Sequence, residues 1–305
     1  MTSNLNLISI LIYETLGTFI LILFGNGSVV TELLYHADTK TGPNILSINI
    51  AYGLAVTFGI YTAHKTGGHI NPVVSIVALL EGCLTFIQTI VFIFSQFLGA
   101  FLASFVLHMN YKNGFDRHLE ERDHLNGICG NEKGTDSNLL AVAGAFSTFP
   151  HSSLIVDGKP KMLSMWFDQI LGTFMLIFLI KMVTNKNSPH CVDAKNAPII
   201  IGLIVIMIGQ ALGVNCGYAI NPARDLGPRI YMLLAGFGKS VFYCENMGHY
   251  WVVPVFATVL GGVLGYYFFR ILHLHLVFER ERGEICVKEK DLEMAAKETL
   301  INKSN

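Results

Sequence analysis

The sequence predicts an all-α membrane protein, with six transmembrane helices and two re-entrant half-helices arranged as an inverted repeat. Composition, the lengths of the apolar stretches and a self-similarity between the two halves predict it together. Of 305 residues, 52% are hydrophobic and 14% charged, against about 25% charged in soluble domains. The mean hydropathy is +0.49. The formal charge is -1, from 21 basic and 22 acidic side chains, which argues against a nucleic-acid partner. Six cysteines without Cys-x-x-Cys pairing indicate neither a zinc site nor a disulfide framework, so no metal or cofactor is expected.

Charge is distributed unevenly along the chain. Residues 1–108 carry six charged side chains, 112–136 carry ten and 271–305 carry thirteen. A helix needs about 20 apolar residues to cross the hydrocarbon core. Six stretches are long enough: roughly 7–30, 45–64, 85–108, 162–184, 197–216 and 249–270. Runs such as Phe174-Met175-Leu176-Ile177-Phe178-Leu179-Ile180 lack the period-two alternation of membrane strands. Val73–Leu80 and Ala223–Ala235 are too short to span, and each follows an Asn-Pro pair. They read as half-helices, tolerated at membrane depth only where protein or a watery cavity surrounds the broken backbone. The first 13 residues carry no basic side chain, so no cleavable signal is expected. Lys181 at the end of span four with Lys186 and Lys195 beyond it, and Arg270 at the end of span six with Arg280 and Arg282 beyond it, predict cytoplasmic termini.

The two halves resemble each other. Glu14-Thr15-Leu16-Gly17-Thr18-Phe19 returns as Gln169-Ile170-Leu171-Gly172-Thr173-Phe174, and Gly67-Gly68-His69-Ile70-Asn71-Pro72 returns as Gly217-Tyr218-Ala219-Ile220-Asn221-Pro222. Each half holds three spans, and an odd number inverts the second copy relative to the first. Such repeats place their site near the midplane, between the halves. Asn is a favoured N-cap and Pro a favoured first helical residue. Each half-helix therefore begins with a positive dipole end and free amides, and inversion brings the two starts together. The amide groups of Asn71 and Asn221 can then donate into a shared lumen that passes neutral solutes and repels cations. Ordinary Asn-Pro turns are the alternative; two pairs in register with an independent repeat favour a pore. Arg224 at membrane depth reads as functional. Asp225 and Arg229 can pair on one helix face, although interfacial snorkelling is the favoured reading of Arg229.

Glu14-Thr-Leu-Gly-Thr, His69-Ile-Asn-Pro-Val, Ser95-Gln-Phe-Leu-Gly-Ala, Gly217-Tyr-Ala-Ile-Asn-Pro-Ala-Arg-Asp and Gly261-Gly-Val-Leu-Gly occur in order. The region 8–270 thereby resembles the major intrinsic proteins, the aquaporins and aquaglyceroporins. Asp225, Arg229, the long loop from Leu234 to His249 and Pro254 resemble the glycerol-conducting branch more than the water-selective one. The resemblance implies a homotetramer with one pore per subunit, carrying water, glycerol or other small neutral solutes across the plasma membrane without catalysis. It divides the chain into a cytoplasmic segment 1–6, a channel domain 7–270 and a charged cytoplasmic tail 271–305. Within the channel domain, repeat one covers about 7–108, an extracellular loop 109–161 and repeat two about 162–270. A water-selective channel and, less favoured, an ion-coupled transporter stay as alternatives.

By the same resemblance, Asn71, Pro72, Val73, Asn221, Pro222 and Ala223 form the midplane motifs, and Tyr52, Gly209, Tyr218 and Arg224 the selectivity filter. Gly67, Gly68, His69, Ile70, Gly217, Ala219 and Ile220 would line the pore, with Glu14, Gln169 and Asp225 as structural support. Gly209 should leave room for a carbon backbone where water-selective relatives place His. Tyr52 and Tyr218 should offer aromatic walls to the C–H face of a polyol, with Arg224 bonding its hydroxyls; they stand where glycerol channels often have Trp and Phe, so a more polar filter is expected. Val73 replaces the usual Ala and is expected to narrow or stiffen the centre. Gln169 replaces the usual second-half glutamate and should still bond the half-loop, without charge. Gly25-Asn-Gly27 lacks the third glycine of a dinucleotide fingerprint and reads as helix packing. His273 and His275 read as interfacial. A Cys129–Cys244 disulfide is left open, and the Asn302-Lys-Ser sequon falls in the tail.

Overall fold

The computed structural model describes residues 5–39, 44–121, 142–156, 159–186, 188–243 and 247–274. Cys129, Cys244, His275 and the sequon at Asn302 lie outside them. The first half contains α1 (Leu7–Thr39), α2 (Ile45–Thr62), the half-helix α3 (Pro72–Leu80) and α4 (Phe86–Glu121). The second contains α5 (Met162–Thr184), α6 (Ala197–Cys216), the half-helix α7 (Pro222–Leu234) and α8 (Val253–Leu274). Among the described residues six helices are long and apolar enough to cross a membrane, and these are α1, α2, α4, α5, α6 and α8. The chain divides into two compact units, Met1–Tyr266 and Tyr267–Asn305. In the second, the rings of Phe269 and His273 stack at 5.7 Å.

Two helices outrun the apolar stretches that predict them. α1 continues past residue 30, and α4 past 108, with non-helical torsions at Tyr111 (φ -109, ψ 15). Hydrophobicity marks where the membrane ends, and packing carries the two helices on beyond it: Leu33 and Leu34 of α1 cluster with Tyr111 and Phe115 of α4, and Leu34 lies over Gly114. The sixth span begins later than residue 249, because Pro254 favours a helix start and a π-turn occupies Val253–Ala257. One short hairpin pairs Ile155–Val156 with Lys159–Pro160, between α4 and α5.

Packing repeats between the halves. α1 lies against α2 and α4, as α5 lies against α6 and α8, while α2 meets α6 and α4 meets α7 across the repeat. Missing side chains allow these approaches: a methyl at Gly99 would strike the Thr15 carbonyl of α1, and one at Gly261 the Ile170 carbonyl of α5. Gly265 meets Phe174 of α5 in the same way. The Gly261-x-x-x-Gly265 spacing thus serves packing within the chain. Between α4 and α5, residues 142–149 leave the surface and bury Val142, Ala143 and Phe146 against Met165, Met232 and Tyr250.

Candidate pore

The two half-helices start at the same place, and the asparagines lock them together. Asn71 (φ -155, ψ 123) and Asn221 (φ -155, ψ 110) are extended N-caps, each followed by Pro. Asn71 Oδ1 accepts from the Val73 amide at 3.0 Å, and Asn221 Oδ1 from those of Ala223 at 3.0 Å and Arg224 at 3.3 Å. Each Nδ2 then crosses to the other half. Asn71 donates to the Ile220 carbonyl at 2.9 Å, and Asn221 to the Ile70 carbonyl at 2.8 Å. An amide nitrogen carries two N–H groups, so each retains one after this exchange. Ile70 and Ile220 both sit at φ 43, a left-handed conformation costly for a β-branched residue, by about 1–3 kcal/mol. The strain recurs at equivalent positions and turns each carbonyl towards the opposite asparagine.

The supports of the two halves differ. Glu14, fully buried, accepts from the amides of His69 (3.0 Å) and Ile70 (2.8 Å), from Thr66 Oγ1 (2.7 Å) and from Gln96 Nε2 (2.8 Å). Gln169 makes no such bond to its half-loop. Its Nε2 donates to the neighbouring Asp168 at 2.9 Å, its Oε1 is buried without a partner, and Asn215 supplies Asp168 with a second donor. A nearby carboxylate attracts the amide more strongly than a neutral half-loop does.

The second half-helix is held from its other side. Asp225 accepts from the Thr148 amide (2.8 Å) and hydroxyl (2.5 Å), and pairs with Arg229 Nε at 2.5 Å. Arg229 also donates to the carbonyls of Val241 (2.5 Å) and Thr148, with its guanidinium over the rings of Phe149 at 4.5 Å and Tyr250 at 5.7 Å. Snorkelling therefore does not describe Arg229, which is fully buried. Burial of this ion pair is sustained because its donors meet carbonyls that desolvation would otherwise leave orphaned.

Tyr52, Tyr218 and Arg224 converge. The tyrosine rings lie edge to face at 5.9 Å, and the Arg224 guanidinium sits 5.1 Å above the Tyr52 ring while donating to the Phe146 carbonyl at 3.2 Å. Both hydroxyls point away from this meeting point. Tyr52 donates to Asn26 Oδ1 and Tyr218 to Asn49 Oδ1, each at 2.5 Å. The tyrosines therefore present ring carbons, contrary to the more polar filter expected. Gly209 lies behind them: a methyl there would sit 2.7 Å from Asn49 Oδ1 and 2.8 Å from Tyr218 Cζ. The room left by Gly209 is filled by this pair.

A cavity of about 250 Å³ runs from Tyr52, Tyr218 and Arg224 past Asn71 and Asn221 to Lys181 and Thr184. Pockets for drug-sized ligands hold about 300–1,000 Å³, so this one suits smaller molecules. The half-loops Gly67–Ile70 and Ala219–Ile220 line it together with apolar residues, among them Leu21, Val56, Leu176 and Val205. Gly217 instead packs on Thr148, and a methyl on it would lie 3.2 Å from Thr148 Cγ2. Pro72, Pro222 and Ala223 are buried behind the asparagines. Val73 faces away too, clustering with Val77, Ile177 and Tyr266 over Gly262. It fills a helix contact and does not narrow the centre.

Sequence reasoning missed Asn26, Asn49, the 146–148 backbone and Lys181. The asparagines carried a signal, being amides in otherwise apolar spans. Lys181, paired with Glu81 at 2.6 Å, served only to orient the chain.

The chain matches the model of the family described as major intrinsic protein over residues 1–269. It is 36% identical over 292 residues to an aquaporin-10 of Milnesium tardigradum, which covers 91% of this chain and 66% of that protein. The chain thus spans just under two thirds of that relative's length. It is 34% identical over 258 residues to a glycerol uptake facilitator protein of Haemophilus influenzae, covering 84% of this chain and 90% of the relative. The X-ray structure of the aquaglyceroporin from Plasmodium falciparum aligns with a TM-score of 0.69 and 27% identity, over 87% of this chain and 96% of that one. The chain therefore belongs to the major intrinsic protein family.

Proposed function

We propose that the cavity conducts water and small uncharged solutes such as glycerol across the membrane, down their gradients, and excludes protons and other ions. The observation that carries this reading is the crosswise pairing of Asn71 and Asn221, in a cavity lined as well by apolar side chains such as Leu21, Val56, Leu176 and Val205. Two half-helices present positive ends to one lumen, opposing cations, while the remaining amide donors offer a passing oxygen its hydrogen bond. Arg224 adds a fixed charge at the narrow group, and Tyr52 and Tyr218 offer ring carbons to the C–H face of a polyol. The glycerol uptake facilitator among the relatives supports glycerol over water alone.

On this reading Tyr52, Gly209, Tyr218 and Arg224 act as a filter, with Gly209 acting through Tyr218. The protein is a multi-pass plasma-membrane channel without enzymatic activity, both termini in the cytoplasm, assembled as a homotetramer. Residues 7–270 form the channel domain and 271–305 its tail. Stopped-flow light scattering on reconstituted vesicles tests the proposal: a sucrose gradient should shrink them quickly, and a glycerol gradient should give rapid shrinkage followed by reswelling. Reswelling no faster than in protein-free vesicles would reject glycerol conduction.

A further inference from the structure

The filter tyrosines share an arrangement that the channel reading alone does not require. Each ring lies where a glycine has no side chain, and each hydroxyl ends on a buried asparagine. A methyl at Gly25 would collide with the Tyr52 ring, and Asn26, fully buried, takes the Tyr52 hydroxyl. Methyls at Gly209 and Gly213 would press on Tyr218, 2.8 Å from Cζ and 3.1 Å from Cδ1, and Asn49, 1% exposed, takes its hydroxyl. Asn26 is tied in turn to the Phe146 carbonyl at 2.6 Å, the group that also receives Arg224.

We infer that two glycine–asparagine cradles, Gly25 with Asn26 and Gly209 with Asn49, hold the hydroxyls of Tyr52 and Tyr218 out of the lumen, making Asn26 and Asn49 positioning residues for solute selection. This rests on the channel reading above. A phenol packed among apolar groups needs a hydrogen-bond partner, and the cavity that both rings line together with Arg224 and the half-loops offers one. With its cradle intact, each tyrosine confronts solute with ring carbon and leaves Arg224 to meet solute oxygens, which suits a linear polyol with a C–H face. Without the cradle, the hydroxyl turns inward. The passage then narrows and becomes polar, which penalises glycerol more than water. Fixing both ends of a ring also holds the geometry that a size-selective site depends on.

The test measures the glycerol-to-water permeability ratio of the full chain in lipid vesicles. A native protein that passes neither solute overturns the channel reading, and this inference with it. With native conduction present, Asn49→Leu should lower glycerol flow more than water flow and so reduce the ratio on the order of tenfold, the effect of one misplaced group in a fitted site. Adding Tyr218→Phe should raise the ratio back towards the native one, because an apolar pair leaves no hydroxyl seeking a partner. An unchanged ratio in Asn49→Leu, or a fall that Tyr218→Phe does not reverse, overturns the cradle and leaves the channel standing. Should Asn49→Leu not reach the membrane, Gly209→Ala displaces the same ring. A lowered ratio there supports the inference, and an unchanged one overturns it.

Discussion

Two buried arginines five residues apart do different work. Arg224 borders the cavity, whereas Arg229 is sealed behind it with Asp225. Removing a unit charge ~5 Å from a passing cation, at an effective dielectric of about 20, changes its energy by about 3 kcal/mol. Arg224→Ala should therefore raise cation or proton leak on the order of a hundredfold, read with a pH-sensitive dye trapped in vesicles. Leak at the native level would remove Arg224 from the filter. Arg229→Met should leave selectivity alone and cost about 3–5 kcal/mol by stranding the buried Asp225 carboxylate. A thermal-unfolding midpoint in detergent equal to that of the native protein would contradict this. The sequence announces a charge at membrane depth in both cases. It does not tell them apart, because Arg229's partners at Thr148 and Val241 are backbone carbonyls, which every residue type supplies.

The half-helices were readable because Asn-Pro carries its own mechanism, an N-cap followed by a residue with no amide to satisfy. Their register came from the repeat. Which face of α3 looks into the lumen was not readable, since a nine-residue apolar helix shows no clear polar side. The motif position assigns Val73 to the pore, while the structure sets it over Gly262 and against Ile177 and lets Val74 line the cavity. Val73→Ala should then cost about 1–3 kcal/mol through the lost methyls and the void they leave. The ratio of glycerol to water flow should not change. A shifted ratio without loss of stability would return Val73 to the lumen. The 142–149 segment lay beyond such reasoning altogether, because irregular backbone that bonds through its own amides and carbonyls leaves no periodic pattern.

Across the whole molecule, the inverted repeat carries fold and site together. Two copies of one motif in opposite orientation bring two helix starts face to face, and the crosswise bonds between Asn71 and Ile220 and between Asn221 and Ile70 join them. The halves are not equivalent, however: Glu14 braces the first half-loop directly, whereas in the second half it is the half-helix that is held, by Asp225 and Arg229 with Thr148. A fixed junction of this kind suits a passage open to both sides more than a site that alternates between them. Uptake of labelled glycerol into vesicles, with and without imposed sodium and proton gradients, tests that directly. A channel gives the same initial rate in every condition and stops when inside and outside concentrations match. Accumulation above the outside concentration, driven by either ion gradient, would contradict it.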